Sequence, residues 1–233
     1  MKAYKQYFKH FDIHYVPAEI TQVRQSIPLS RGLGSSASAI VAGLLGANSI
    51  CNELHTKEEL LELATKMEGH PDNAAPAVYG EMLMSKKSAE GYVCEKVGVS
   101  DKLHFCVLIP PYAISTSEAR KILPEAYSRE EAVANISSAA FMIRGLEKGD
   151  MSLVRTGADD RIHEPYRQKL ISGFEEVREE AAREGATLLI SGSGSSSLLI
   201  SEKEISDALK KKITELGWDS REVSVSGGYS YAE

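Results

Sequence analysis

The sequence predicts an α+β fold, and two features of its pattern lead to that prediction. Segments with apolar residues at helical spacing alternate with short runs rich in β-branched and aromatic residues. In the last quarter of the chain, a buried-type strand at 186–190 precedes a tight Gly/Ser turn at 191–197 and a returning strand. A helix near 203–216 and a strand near 221–226 follow. The order strand, turn, strand, helix and strand is typical of an α+β sandwich.

The composition argues against several classes of function. The chain has 233 residues, enough for one large or two small domains, and 42% of them are hydrophobic. A net charge of −6 argues against a nucleic-acid partner and against binding at a membrane surface. No apolar run reaches the length of a membrane span. The cysteines Cys51, Cys94 and Cys106 have neither zinc-site spacing nor an evident disulfide pattern, so we expect a cytoplasmic protein.

The first 26 residues are polar and mixed, and they contain no residues that point to chemistry. Short strands are predicted there at 14–16 and 20–23.

A Gly- and Ser-rich loop follows, and it is the most informative stretch of the chain. Pro28 leads into Gly32 and Gly34, and Ser35 and Ser36 stand before an apolar helix. Glycines allow close backbone approach, serines are good N-cap residues, and a helix start offers free N–H groups to an anion such as phosphate. An ordinary loop that caps a buried helix is the structural alternative. The spacing matches neither a Walker loop nor a Rossmann turn.

The helix after the loop is predicted over 36–53, and a second helix begins after Thr56. Gly and Pro end this second helix, and His70, Asp72 and Asn73 then cluster. The cluster predicts either a site for a substrate hydroxyl or a polar turn in which Asp72 and Asn73 cap the next short helix.

The middle of the chain predicts strands at 79–84, 92–97 and 103–109. Beyond them, Thr116 or Ser117 is expected to cap a short helix.

Further helices are predicted at 129–147, from Asp150, and up to about 184. Two arginines in this part each have two interpretations. Arg120 is either a solvated helix charge or part of a substrate pocket. Arg167 is either a surface residue at a helix N-terminus or a ligand for a carboxylate, which a planar guanidinium binds with two parallel hydrogen bonds.

The run from Pro28 to Ser38 resembles the phosphate loop of the GHMP small-molecule kinases. Together with the run 68–77, it resembles the homoserine kinases of that family in particular. The resemblance implies a GHMP kinase fold. An ATP-binding part at 1–102 would be like domain 2 of ribosomal protein S5, and a C-terminal part at 103–233 would be ferredoxin-like.

The resemblance also implies an activity, which is the ATP-dependent phosphorylation of L-homoserine in threonine biosynthesis. Mg²⁺ would be the metal, no nucleic acid or membrane would take part, and a homodimer is compatible with it. The residues that would bind ATP are Pro28, Arg31, Gly32, Leu33, Gly34, Ser35, Ser36 and Ser38.

Ser36 and Glu68 would hold Mg²⁺, with Glu62 as a second candidate for the metal. Glu68, Asp72 and Asn73 would be catalytic. The substrate-binding residues would be His70, Asp72, Asn73, Thr116, Arg120 and Arg167. The Gly/Ser turn resembles a third family motif that supports the loop, although the family usually has proline where this chain has Ser195.

No stretch of 1–26 matches the early motif of the homoserine kinases, so we expect a family member that lacks its beginning. Such a chain would bind Mg·ATP but phosphorylate homoserine feebly or not at all. Two alternatives are a GHMP kinase for another small hydroxyl compound, such as mevalonate or a sugar, and an inactive remnant. The pair Asp72 and Asn73, with Arg120 and Arg167, suits a zwitterionic amino acid better than a neutral sugar.

Overall fold

The computed structural model describes residues 1–21 and 26–229. The chain divides into two units. Unit 1 comprises Met1–Pro28, Gly34–Val97 and Val225–Glu233, and unit 2 comprises Leu29–Leu33 and Gly98–Ser224. Helices and strands occur in both units, which confirms the predicted α+β class.

Unit 1 is built from four helices and a hairpin among its described residues. The elements are α1 (Lys2–His10), α2 (Ser35–Ile50), α3 (Lys57–Glu68), α4 (Pro71–Tyr79), β1 (Met82–Ser88) and β2 (Gly91–Val97). The two strands pair antiparallel from Met82↔Val97 to Ser88↔Gly91. Tyr4, Tyr7, Leu44 and Leu60 form the centre of the core, so α1, α2 and α3 bury their apolar faces together.

The helix α1 corrects the sequence prediction for the first 26 residues. Ala3, Tyr4, Tyr7 and Phe8 lie on one buried face because their spacing follows the helical period. The residues 14–16 are not a strand. Of the second predicted strand, 20–21 is irregular and 22–23 lies outside the described residues.

The other elements of unit 1 agree with the sequence predictions apart from their ends. Helix α3 begins after Thr56, as predicted, and with a capping box, since Thr56 accepts from Glu59 N–H and the Glu59 side chain accepts from Thr56 N–H. Helix α2 ends at Ile50, and β1 begins at Met82 rather than at residue 79, because Gly80 and Glu81 have positive φ angles of 75° and 61°.

Unit 2 is a four-stranded antiparallel sheet with helices. Its order is β4-β5-β3-β6, and all three strand pairs are antiparallel. The strands are β3 (His104–Ile109), β4 (Thr187–Ile190), β5 (Ser197–Ser201) and β6 (Asp219–Val223). The helices are α5 (Thr116–Lys121), α6 (Arg129–Lys148), α7 (Met151–Gly157), α8 (Glu164–Arg167), α9 (Phe174–Arg183) and α10 (Asp207–Glu215), with a 3-10 turn at Gln168–Leu170.

This succession of strand, helices, two strands, helix and strand is the ferredoxin-like arrangement expected for the C-terminal part. The core of unit 2 contains Leu108, Phe174, Leu199, Leu209 and Trp218. Helices α9 and α10 therefore pack their apolar faces on the sheet. In the parts of the chain that the structure describes, no helix has both the length and the apolar character to cross a membrane.

The packing of α1 generates a stability prediction. Tyr7 is fully buried, and its hydroxyl donates to Asn48 Oδ1 at 2.8 Å. Tyr7→Ala is expected to lower the free energy of unfolding by about 3–5 kcal/mol, because it leaves a cavity and removes this bond. Denaturant unfolding of Tyr15→Ala is the control, since Tyr15 is 39% exposed. A loss below about 1 kcal/mol for Tyr7→Ala would show that α1 is not part of the core.

Candidate active site

The first half of the Gly-rich loop belongs to unit 2, where the Gly/Ser turn between β4 and β5 holds it. Ser196 N–H donates to Arg31 O at 3.1 Å, and Ser191 Oγ donates to Gly32 O at 2.9 Å. A Cβ atom at Gly32 would lie 2.2 Å from Ser191 O, and the φ angle of Gly32 is +72°. Only glycine fits there. The expected support of the loop by this turn is therefore confirmed.

The side chain of Arg31 points to backbone carbonyl groups within unit 2. Nη1 donates to Pro110 O, and Nη2 donates to Pro111 O at 3.1 Å. The guanidinium therefore ties the loop to the end of β3. Any contribution of Arg31 to nucleotide binding would come from its backbone or from the N–H groups that remain.

The second half of the loop belongs to unit 1, where it starts α2. The N-cap is Gly34, with a φ angle of 69°, and no side chain caps this helix. The expectation of a serine N-cap is wrong, because Ser35 and Ser36 already lie in the first turn. Ser38 Oγ donates back to Gly34 O at 3.0 Å. The N–H groups at the start of α2 thus meet no capping side chain, as an anion site requires.

Ser36 and Glu68 lie together at the end of the loop. Ser36 Oγ donates to Glu68 Oε2 at 2.8 Å, which joins the first turn of α2 to the last turn of α3. Glu62 is exposed on α3. Hydroxyl and carboxylate oxygens suit a hard cation such as Mg²⁺. Among residues 1–21 and 26–229, no group of three His, Cys, Asp or Glu side chains could hold a metal ion.

The polar cluster after α3 lies beside the same loop. A Cβ atom at Gly34 would lie 2.9 Å from Asn73 Oδ1, so the amide of Asn73 packs directly on the loop. His70 Nδ1 contacts Asp72 Oδ1, and Asn73 N–H donates to the same oxygen at 3.1 Å. The Asp72 side chain is 67% exposed and available to a ligand.

The expectation that Asp72 and Asn73 cap the next helix needs correction. Helix α4 begins at Pro71 with His70 as its N-cap, so both residues lie in its first turn. Proline is favoured at that position because its missing N–H is not needed there.

Thr116, Arg120 and Arg167 lie in unit 2. Ser115, not Thr116 or Ser117, caps α5, because its side chain accepts from Glu118 N–H at 3.1 Å. Thr116 and Arg120 are exposed on α5. Arg167 is the last residue of α8, so it does not stand at a helix N-terminus. Its Nε donates to Ala119 O at 3.3 Å and its Nη1 to Gly192 O at 2.9 Å.

Arg167 is partly buried and lies near charges of both signs. Burial lowers the pKa of Arg167, the negative charge of Asp160 opposes that shift, and the nearby positive charge of Arg120 adds to it. A planar guanidinium in such a position can bind a carboxylate with two parallel hydrogen bonds.

The structure brings the predicted residues together in two groups. In unit 1, Gly34, Ser36, Glu68, Asp72 and Asn73 form one cluster around the start of α2, and in unit 2, Arg120 and Arg167 are neighbours.

Asn135, Asp160 and Glu164 surround the backbone that leads to Arg167, and no role was predicted for them from the sequence. For Asp160 and Glu164, the available signal was an aspartate shortly before Glu164 and Pro165, which are typical of a helix start.

Comparison with known proteins shows the family to which the chain belongs. Residues 1–81 match the model of the GHMP kinases N terminal domain, and residues 142–217 match that of the GHMP kinases C terminal domain. The crystal structure of homoserine kinase from Cytophaga hutchinsonii superposes with a TM-score of 0.83 and 29% identity, over 97% of this chain and 75% of that one. The chain belongs to the GHMP kinase family.

Similar curated proteins include several homoserine kinases. That of Clostridium acetobutylicum is 37% identical over 93% of this chain and 75% of its own length. The homoserine kinase of Clostridium beijerinckii is 40% identical over 94% of this chain and 75% of its own length. That of Prochlorococcus marinus strain MIT 9312 is 42% identical over 86% of this chain and 65% of its own length. Streptococcus pneumoniae phosphomevalonate kinase, in complex with phosphomevalonate and AMPPNP, shares the fold at a TM-score of 0.67 and 14% identity, over 82% of this chain and 69% of that one.

The loop geometry generates a binding prediction. Gly34→Ala would place a methyl group against Asn73 Oδ1 in a backbone conformation with φ of +69°. We expect Mg·ATP affinity to fall about tenfold or more, because the start of α2, whose N–H groups are expected to bind phosphate, must shift.

Isothermal titration of Gly34→Ala with Mg·ATP checks this prediction. Gly46→Ala is the matched control, since it adds the same methyl group within α2, where nothing lies within 4 Å. It should bind nucleotide normally and be slightly stabilised. Unchanged affinity in Gly34→Ala would remove the loop from the nucleotide site.

Proposed function

We propose that this protein is an ATP-dependent homoserine kinase. It would transfer the γ-phosphoryl group of ATP to the side-chain hydroxyl of L-homoserine, giving O-phospho-L-homoserine and ADP. The observation that carries the proposal is the packing of Asn73 on Gly34, because it joins the acceptor cluster to the phosphate loop within unit 1. The names of the relatives at 37–42% identity support the same substrate.

ATP would bind along the loop from Pro28 to Ser38. The N–H groups at the start of α2 would donate to the phosphates, since no side chain caps that helix. Gly32 allows the close approach of the backbone, and the Gly/Ser turn holds the loop in place before nucleotide arrives. Such preorganised donors are the main requirement of phosphoryl transfer, which needs positioning more than covalent chemistry.

Ser36 and Glu68 would hold Mg²⁺. Their oxygen atoms are hard ligands, and their contact at 2.8 Å supports the pair over Glu62. The ion supplies charge neutralisation on the transferring phosphate when it is bound.

The acceptor would bind through its two charged ends and its hydroxyl group. Asp72 would accept from the ammonium group of homoserine, oriented by its contacts with His70 and with Asn73 N–H. Asn73 would hold the hydroxyl group. Thr116, Arg120 and Arg167 would bind the carboxylate, since a guanidinium grips a carboxylate with two parallel hydrogen bonds.

Further parts of the proposal rest on the sequence and on the family. We assign 1–102 to an ATP-binding domain and 103–233 to a C-terminal domain, with support from the matches at 1–81 and 142–217. The place in threonine biosynthesis follows from the proposed reaction. Free cysteines, of which Cys106 is buried, favour a cytoplasmic location. We also propose that two copies of the chain can associate as a homodimer, which analytical ultracentrifugation would test.

An ADP-release assay with homoserine, mevalonate and galactose tests the function. We expect turnover with homoserine alone among the three. Activity with mevalonate or galactose would move the protein to another branch of the family. If no substrate is turned over while Mg·ATP binds, the inactive alternative is favoured.

The assignment of Mg²⁺ to Glu68 rather than Glu62 can be tested by comparing the two glutamates, which both lie on α3. Glu68→Gln removes the carboxylate charge beside Ser36, so the Mg²⁺ concentration for half-maximal ATP binding should rise about ten- to a hundredfold. Glu62→Gln makes the same change on α3 at an exposed position and should leave the Mg²⁺ dependence unchanged. The reverse pattern, measured by titration of Mg²⁺ at fixed ATP, would assign the metal to Glu62.

A further inference from the structure

The segment that leads into α8 is held by an unusually complete set of hydrogen bonds around one carboxylate. Asp160 Oδ1 accepts from Ile162 N–H at 2.8 Å and from His163 N–H at 3.0 Å, and Oδ2 accepts from Glu164 N–H at 3.1 Å. Three consecutive backbone donors therefore converge on Asp160. Hydrogen bonds of this kind, from neutral donors to an ionised carboxylate, are stronger than those between neutral groups.

Helix α6 fixes this carboxylate from the other side. Asn135 Nδ2 donates to Asp160 Oδ1 at 3.1 Å, and Asn135 Oδ1 accepts from Arg161 N–H at 2.7 Å. One amide side chain thus binds both the carboxylate and the residue after it. Tyr127 adds a further bond from its hydroxyl to Ile162 O at 3.0 Å.

The charge of Asp160 persists over the working range of pH. Its side chain is 28% exposed, and burial opposes ionisation. The hydrogen bonds from His163, Ile162 and Asn135 outweigh that effect, so the pKa of Asp160 lies well below its usual range.

The segment is connected directly to Arg167. The N–H group of His163 is held by Asp160, and the carbonyl group of His163 accepts from Arg167 N–H at 3.0 Å. The guanidinium then donates to Ala119 O and Gly192 O, so its orientation depends on where the backbone of α8 places its Cα atom. On the opposite side, the buried Glu164 contacts Arg178 and accepts from Ile190 N–H, each at 3.3 Å.

We propose that Asp160 is a positioning residue that sets the direction of the Arg167 guanidinium toward the substrate carboxylate, with Asn135 as its support. This inference rests on the proposed function, in which Arg167 binds the carboxylate of homoserine. A guanidinium whose Nε and Nη1 already bind protein carbonyl groups presents its remaining N–H groups in a single direction. A small tilt of α8 would misalign them, and such misplacements are costly.

The test compares Asp160→Asn with Asp159→Asn. Each variant removes one negative charge from the same segment. The Asp159 side chain, however, is 52% exposed, and its carboxylate pairs with the guanidinium of Arg161. We expect Asp160→Asn to weaken the binding of L-homoserine about tenfold while the dissociation constant of Mg·ATP stays unchanged. Asp159→Asn should change neither. Calorimetric titration measures both ligands without a need for turnover.

Repeating the Asp160→Asn substitution in a protein that already carries Arg167→Ala distinguishes a positioning role of Asp160 from a general structural role. If Asp160 acts through Arg167, then Asp160→Asn should weaken homoserine binding less than about twofold when Arg167 is absent. The same loss in both backgrounds, or equal losses for homoserine and Mg·ATP, would overturn the inference. An unchanged homoserine affinity in Asp160→Asn would overturn it as well.

Two further variants keep the outcome interpretable. If Asp160→Asn does not fold, Asn135→Ala keeps the carboxylate but removes its support, and it should show a smaller loss of the same kind. If neither Asp160→Asn nor Asn135→Ala affects homoserine while Arg167→Ala does, the positioning role fails and the proposed function stands. If Arg167→Ala itself has no effect on homoserine binding, the proposed carboxylate site fails.

Discussion

The Gly-rich loop depends on one close approach between backbone segments, that of Gly32 to the carbonyl group of Ser191. The two residues are 159 positions apart in the chain, and Ser191 also donates its hydroxyl to Gly32 O. A side chain at either glycine of the contact, Gly32 or Gly192, would collide with the other segment or crowd it. Close packing of the two backbone segments therefore holds the loop together with the hydrogen bonds.

The turn between β4 and β5 supports more than the loop. Gly192 accepts from Arg167, Ser195 Oγ donates to Tyr112 O at 2.6 Å, and Ile190 N–H donates to Glu164. A Gly/Ser composition suits this crowded position, because hydroxyl groups reach neighbouring carbonyl groups while the small side chains admit other backbones. One short turn thus connects the segment proposed for phosphate with the arginine proposed for the substrate carboxylate, both within unit 2.

The sequence indicated those parts of the candidate site that are local in the chain. The Gly-Leu-Gly-Ser-Ser run and the cluster from His70 to Asn73 are contiguous motifs, and the strands and helices near them follow regular apolar spacing. The α1 helix was missed because its buried aromatic residues, Tyr4 and Tyr7, alternate with lysines in a stretch that is polar on average. The bond between Asn135 and Asp160 spans 25 residues and leaves no periodic signal. The caps of α2, α4 and α5 were predicted one to three positions after the observed residue, because several neighbouring Ser, Thr, Asp and Asn side chains could each have served.

The distribution of aromatic residues gives the chain built-in spectroscopic probes. Its single tryptophan, Trp218, is 5% exposed in the core of unit 2, whereas the core of unit 1 is built around tyrosines such as Tyr4 and Tyr7. Fluorescence excited at the red edge of the absorption band, where tryptophan absorbs and tyrosine does not, therefore comes from Trp218 and reports on the core of unit 2. Tyrosine signals in near-ultraviolet circular dichroism weigh toward the helical core of unit 1. Divergence between the two signals during denaturation would reveal whether the units melt as one cooperative body or in separate steps.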